Sequence, residues 1–176
     1  NFGVTKMTNN LVTKIENKKK GEIYVGLYHG TLYKSQTNDG YKFEDKNKIK
    51  ASNFKDYDYT MLGDIHLYQY MNKKKTIAYC GSLIQQNFGE SINNHGMLVW
   101  NLKNKKSELM EIENKYIYKT HIVRDIKNTK IENIEGKKCR LRLKYENINI
   151  LKMYEYEEKI EEIYDIKSIT RKEILN

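Results

Sequence analysis

Between Tyr57 and Glu90 the chain crowds two short apolar runs, a pair of ligand-type side chains and two glycine turns into one stretch, YDYTMLGDIHLYQYMNKKKTIAYCGSLIQQNFGE. No other segment so narrows the folds open to it. Tyr59, Thr60, Met61 and Leu62 read as a buried strand ending at Gly63, and Asp64 and His66 follow at its carboxyl end. Side chains two apart on extended backbone point the same way, so the Asp64 carboxylate and the His66 imidazole can face one pocket while Ile65 packs inward. A second strand, Thr76 to Tyr79, runs into Cys80, Gly81 and Ser82, a tight turn able to bring backbone and hydroxyl groups to the same rim. Taken alone, the D-x-H pair also fits a turn aspartate beside a surface histidine. His29 adds a third candidate, because Ile23 to Tyr28 is another apolar strand with His29 at its end and Gly30 next. Strands that each deliver a ligand-type residue at their carboxyl ends fit an open α/β sheet, whose sites lie there.

Four segments then occur in order: YVGLYHG, YTMLGDIH with Gln69 just after it, AYCGSLIQQNFGE, and HGMLVWNL. Together they resemble the second half of the calcineurin-like metallophosphoesterases, and within them the SbcD-type DNA double-strand-break-repair exonuclease subunit, the partner of an SMC-like ATPase. In that group a histidine ends one strand and a G-[HD]-I-H motif ends the next. A tyrosine-proline-glycine-serine turn and F-G-E then precede the strand that closes the domain. The resemblance covers residues 20–103. It implies an α/β (α+β) fold in which residues 1–104 are part of a metallophosphoesterase β-sandwich flanked by helices. Residues 105–176 would be a small β-β-α-β capping domain facing DNA.

The resemblance also implies a site. His29 and Asp64 would help hold one divalent ion and His66 a second, with Mn2+ the expected metal and Mg2+ an alternative. Asp64 stands where many members have histidine; carboxylate oxygen and imidazole both suit manganese, although the exchange alters charge and metal preference. Cys80 replaces the usual proline. Two such ions hold a phosphodiester, stabilise the charge developing on its oxygens and lower the pKa of an attacking water. The full-length protein would be a metal-dependent DNA exonuclease or endonuclease of break repair or recombination, possessing an SMC-like ATPase partner and forming a homodimer. Its other metal ligands and its proton donor would come from D-x-H, G-D and G-N-H-D motifs, and none precedes Ile23. The chain therefore reads as a carboxyl-terminal fragment, or a product whose first half has been lost, inactive alone.

Lysine and arginine total 32 against 23 acidic residues, a formal charge of +9. Such an excess favours polyanions through counterion release. Heavy use of Lys, Asn and Ile without any proline is equally what an AT-rich coding sequence produces, and both explanations stand. Two isolated cysteines, Cys80 and Cys139, exclude a disulfide framework or a zinc knuckle. No apolar run approaches membrane-spanning length and the amino end is polar, so the chain reads as soluble and intracellular, from a bacterium or a virus-infected cell.

The remaining elements follow from pattern. Residues 8–20 predict a short helix with Leu11, Val12 and Ile15 inward. Residues 31–50 predict a loop turning at Asn38, Asp39 and Gly40, with room for a short strand at Tyr41 to Phe43. Tyr33, Tyr41 and Phe43 in this loop could stack on nucleotides, but aromatic residues more often just pin a loop. A brief helix is expected at Ala51 to Phe54, and a strand from Met97 to Leu102 with Trp100 packed on a neighbouring layer. His95, in an Asn-rich turn, is expected to be exposed or capping.

Beyond a charged turn at Asn104 to Ser107, strands are expected at 116–123 and 138–145, a helix at 150–162 and a closing strand at 162–169. The helix would turn Ile150, Leu151, Tyr154, Tyr156 and Ile160 inward. Arg140, Arg142 and Lys144 alternate with Leu141 and Leu143 and are the candidate DNA phosphate contacts, against the plainer reading of a solvated strand face. His121 has no evident partner. Two rival readings remain open: a metallophosphoesterase acting on another phosphate ester, and a noncatalytic DNA-binding module that docks the ATPase.

Overall fold

A computed structural model describes residues 14–104 and 106–174, mostly strands with one α-helix. Contacts divide them into two compact units: the residues up to Ile84 with Asn94–Ile112, and Gln85–Asn93 with those from Glu113 onward. The expected boundary at residue 104 leaves out this exchange. Residues 85–93 belong to the second unit, and the strand after residue 104 belongs to the first.

In the first unit, β1 (Val25–His29), β2 (Tyr59–Gly63), β3 (Gln69–Tyr70) and β4 (Ile77–Tyr79) form a sheet in the order β1-β2-β4-β3. β1, β2 and β4 are parallel and β3 is antiparallel. The parallel core follows from composition, since β2 and β4 are nearly continuous apolar runs, as strands covered on both faces must be. Leu62, Ile65, Ile77 and Tyr79 pack with Leu32, Ile49 and Phe54. The 31–50 crossover is a loop as expected, turning at Gly40, whose φ of +89° suits glycine. In place of a strand at 41–43 it holds a single bridge, Gln36 to Lys42. A 3-10 turn occupies Ala51–Phe54.

The unit ends in an antiparallel pair, β5 (Gly96–Asn101) and β6 (Lys106–Glu111). Trp100 meets Tyr59 edge-on, ring centroids 5.5 Å apart, which is the packing expected of it. Two expectations fail here. Residues 14–20 form no helix, because Asn17 adopts a left-handed φ of +60° that breaks the helical path; residues 8–13 lie outside the described residues. The helices expected to flank the sheet are also missing, since no α-helix lies in this unit among the described residues.

The second unit is a three-stranded parallel sheet, β7 (Tyr116–Val123), β8 (Lys138–Tyr145) and β9 (Ile166–Glu173), in that order, with α1 (Ile150–Ile163) linking β8 to β9. Asn149 caps α1, its side chain accepting the Leu151 N–H at 2.8 Å. The helix buries Met153, Tyr156, Glu157 and Ile160, a spacing of three, four and seven that forms one stripe. Ile150, Leu151 and Tyr154 are exposed, against expectation: the stripe that meets Cys139, Leu141 and Leu143 starts at Met153. Glu157 is buried because Arg171 of β9 grips it with two hydrogen bonds. β9 starts four residues later than predicted, because the helix runs on to Ile163.

His121 is half-buried on β7, where burial and then the Lys119 charge push its pKa below the ordinary histidine value. The unfolded chain therefore binds a proton here that the fold resists. This contribution to stability is complete above the unfolded pKa of about 6.5 and is lost as pH falls from there through the lower folded value. Thermal unfolding is expected to shift to lower temperature between about pH 7 and pH 5. In His121→Gln that part of the shift disappears.

No described helix is long and apolar enough to cross a membrane.

Candidate functional site

The three predicted ligands sit where parallel pairing puts them. Register places His29 opposite Gly63, so β1 and β2 end side by side; His29 closes one strand, and Asp64 and His66 follow the other. The Gly30 N–H donates to the Gly63 carbonyl at 3.2 Å and continues the ladder past the strand ends. The His29 ring lies over Gly63, where an added Cβ would fall 2.8 Å from Cδ2. Glycine there makes room for the imidazole. Asp64 holds a φ of +96°, an unusual conformation for a residue with a side chain and one often found at functional sites. All three side chains are exposed.

Behind this rim stands Tyr79, wholly buried on β4. Its hydroxyl accepts the Leu32 N–H at 2.9 Å and donates to the Gly30 carbonyl at 2.7 Å, pinning the backbone after His29. Burial above all, with the Asp64 charge a minor contributor, pushes its phenol up to about 12. The Tyr28 phenol is also raised, by burial and then by Asp64. Tyr79→Phe would leave the Leu32 N–H without its partner, which costs roughly 1–3 kcal/mol for a buried donor. Thermal unfolding should register that loss, and the His29 imidazole resonance should shift as its loop slackens.

On the other flank, the Ser82 N–H donates to the His66 carbonyl at 3.2 Å. Gly81, at φ +76°, passes so near that an added Cβ would meet the Tyr68 nitrogen at 3.0 Å and the His66 oxygen at 3.1 Å. His95 is the surprise. It is buried at 3% exposure, with Nδ1 3.0 Å from Ser82 Oγ, neither in solvent nor capping. Gly96 allows this, because it brings β5 directly against β6 and carries the preceding histidine inward. His95 thus braces, through Ser82, the segment that presents His66.

Nearby, an apolar pocket of about 350 Å3 is lined by Met61, Ala78, Leu83, Met97, Leu98 and Trp100 among others. It offers no carboxylate or imidazole.

The ligand types and their strand-end placement suit a divalent metal. Convergence does not: no group of three or more His, Cys, Asp or Glu side chains able to hold a metal ion occurs among the described residues. The three candidates are arrayed along one rim and do not close a cage by themselves.

In the second unit, β8 alternates as predicted. Cys139, Leu141, Leu143 and Tyr145 are buried, and Lys138, Arg140, Arg142 and Lys144 occupy the opposite face. Three cations on that face stand over aromatic rings: Lys138 over Tyr116 at 5.1 Å, Arg140 over Tyr118 at 5.4 Å and Arg142 over Phe88 at 4.0 Å. Arg140 also donates to the Tyr118 hydroxyl at 2.9 Å. Phe88 arrives because the Gln85 amide mimics a fourth strand: it accepts the Tyr118 N–H at 2.8 Å and donates to the Tyr118 carbonyl at 2.9 Å. Sequence reasoning missed this set. Phe88 precedes Tyr118 by too many residues for any local pattern to join them, and only the polar Gln85-Gln86-Asn87 run hinted at an edge cap.

No protein-family model matches the chain. It is 44% identical over 154 residues to the uncharacterized protein R555 of Acanthamoeba polyphaga mimivirus, an alignment that covers 88% of this chain and 11% of that protein. The chain thus spans about a ninth of the length of the relative it matches.

Proposed function

We propose that this chain is part of a metal-dependent DNA nuclease of the calcineurin-like metallophosphoesterase type, similar to the SbcD-type subunit that works with an SMC-like ATPase in break repair or recombination. The observation that carries the reading is the register of β1 on β2, which sets His29 beside Gly63 and brings His29, Asp64 and His66 to one rim at the carboxyl ends of adjacent parallel strands. In this reading the first unit is part of a metallophosphoesterase sandwich and the second is the DNA-facing cap. His29 and Asp64 contribute to one ion and His66 to another, Mn2+ by preference. In this reading the remaining ligands come from outside residues 20–103. The ions would supply charge stabilisation and an activated water when bound. The chain's own groups orient and brace: Gly63 seats the His29 ring, Tyr79 fixes the loop behind it, and Ser82 with His95 holds the His66 backbone. The working form is a homodimer in the interior of a virus-infected cell, a setting that the giant-virus relative supports.

One observation favours a second reading, a DNA-binding module without catalysis. The basic face of the second unit is well formed, while the metal residues close no cage. Assays of the long protein that contains this segment separate the possibilities. Mn2+-dependent cleavage of DNA without comparable turnover of a small phosphate ester supports the nuclease. Turnover of the small ester alone points to another phosphoesterase. Salt-sensitive DNA binding with neither activity leaves the binding module.

A further inference from the structure

We infer that the open face of the β7–β8–β9 sheet binds a single strand of nucleic acid, with phosphates on Arg140, Arg142 and Lys144 and unpaired bases against Tyr116 and Phe88. The inference deepens the DNA contact proposed above and rests on that reading for the three basic side chains.

The two faces of this sheet treat their cations differently. On the helix face Arg171 is neutralised by the Glu157 carboxylate. On the open face the register rows bring together Tyr116 with Lys138, Tyr118 with Arg140 and Ser168, Thr120 with Arg142 and Thr170, and Ile122 with Lys144 and Lys172, and none of these rows holds a carboxylate. Among the described residues, Arg140, Arg142 and Lys144 make no ion pair. Asp165, which acts on Lys138, is itself paired with Lys167 at 2.5 Å. An aromatic ring holds a cation in place without cancelling its charge, so the positive field stays directed outward. Arg140 and Arg142 are thus fixed in position yet, with Lys144 beside them, left for an external polyanion to neutralise.

The aromatic residues decide which polyanion. Tyr116 is 63% exposed and Phe88 half-exposed, and Phe88 meets Tyr118 edge-on at 5.1 Å. These rings offer flat surfaces beside the phosphate contacts, with the Arg140 and Arg142 guanidinium groups over Tyr118 and Phe88. A duplex keeps its base faces covered, whereas a single strand can stack its bases on such a platform. An acidic peptide matches the charge but has no use for the rings.

The test is fluorescence anisotropy on the full chain, in EDTA, with labelled oligothymidine of about 15 nucleotides and a duplex of equal length as probes. Oligothymidine is expected to bind more tightly than the duplex. The Arg140→Gln, Arg142→Gln, Lys144→Gln triple variant should lose more than tenfold in affinity and flatten the logarithmic salt slope by about 2, from about 0.7 per phosphate on single strands. Tyr116→Leu, a change at an exposed position, should lose about tenfold with the slope unchanged. Equal or tighter duplex binding, an unaffected Tyr116→Leu variant of unchanged melting temperature, or displacement by polyglutamate as readily as by oligothymidine each overturns the proposal. With metal chelated, failure here leaves the metal ligands untouched. Failure of the metal ligands would equally leave this binding intact.

Discussion

Replacing Gly96 with alanine is expected to pull β5 from β6 and cost about 3 kcal/mol or more, the upper end of what overpacking imposes. An added Cβ would lie 2.1 Å from the Met110 carbonyl oxygen and 2.9 Å from the Glu111 Cα, both backbone atoms of the paired strand. Backbone cannot swing aside as a side chain can, so the strands must separate at this end. The damage then travels: the His95 carbonyl accepts the Ile112 N–H at 2.9 Å, and His95 contacts Ser82, which holds the His66 carbonyl. Trp100, the single tryptophan, lies on β5 against Tyr59 and reports the event. Its emission should move to the red in Gly96→Ala at temperatures where the parent chain is fully folded. Unaltered emission and melting would mean that the hairpin is not joined as described.

Leu141→Ala should be similarly costly, in the other unit. Leu141 is wholly buried at the centre of the three-stranded sheet, flanked by Lys119 on β7 and Ile169 on β9 and covered by the helix stripe. Truncating such a leucine loses its transfer energy and leaves a cavity, about 2–5 kcal/mol together. A unit this small has little stability in reserve, because small cores bury a small share of their surface. In domains of 60–100 residues each kcal/mol shifts melting by roughly 4–8 °C, so a fall of more than about 10 °C is expected by circular dichroism. The neighbouring Arg142→Gln, on the open face, should leave melting nearly unchanged. Equal effects from the two would contradict the assignment of faces.

What could be read in the sequence was what local pattern dictates. β2 and β4 are short apolar runs, β8 alternates strictly, and β1, though it begins at Val25, ends on its histidine; all four come with their ends close to where they were expected. The strand-end positions of His29, Asp64 and His66 follow from the same runs. Elements held by distant partners were illegible. β6 reads KSELME, largely polar and exposed, and is a strand only because β5 pairs with it. The two residues of β3 exist through pairing with β4. Glu157 looks like a solvent residue until Arg171 arrives from β9. His95 looked like a turn histidine, since nothing near it in sequence announces Ser82 as its partner. The open face was half legible: Arg140, Arg142 and Lys144 alternate visibly, but the rings that seat Arg140 and Arg142 come from Tyr118 and from Phe88 beyond the Gln85 clamp.

The metal reading is tested most directly by measuring bound manganese and DNA cleavage together in the full-length protein proposed above, as parent and as His66→Ala. His66 stands at the rim with its backbone fixed by Ser82, so its removal should take away an ion's ligand without unfolding the strand ends. The expected result is a fall in both metal content and cleavage, the latter by orders of magnitude, with melting little changed. Undiminished metal and undiminished cleavage in His66→Ala would contradict the assignment.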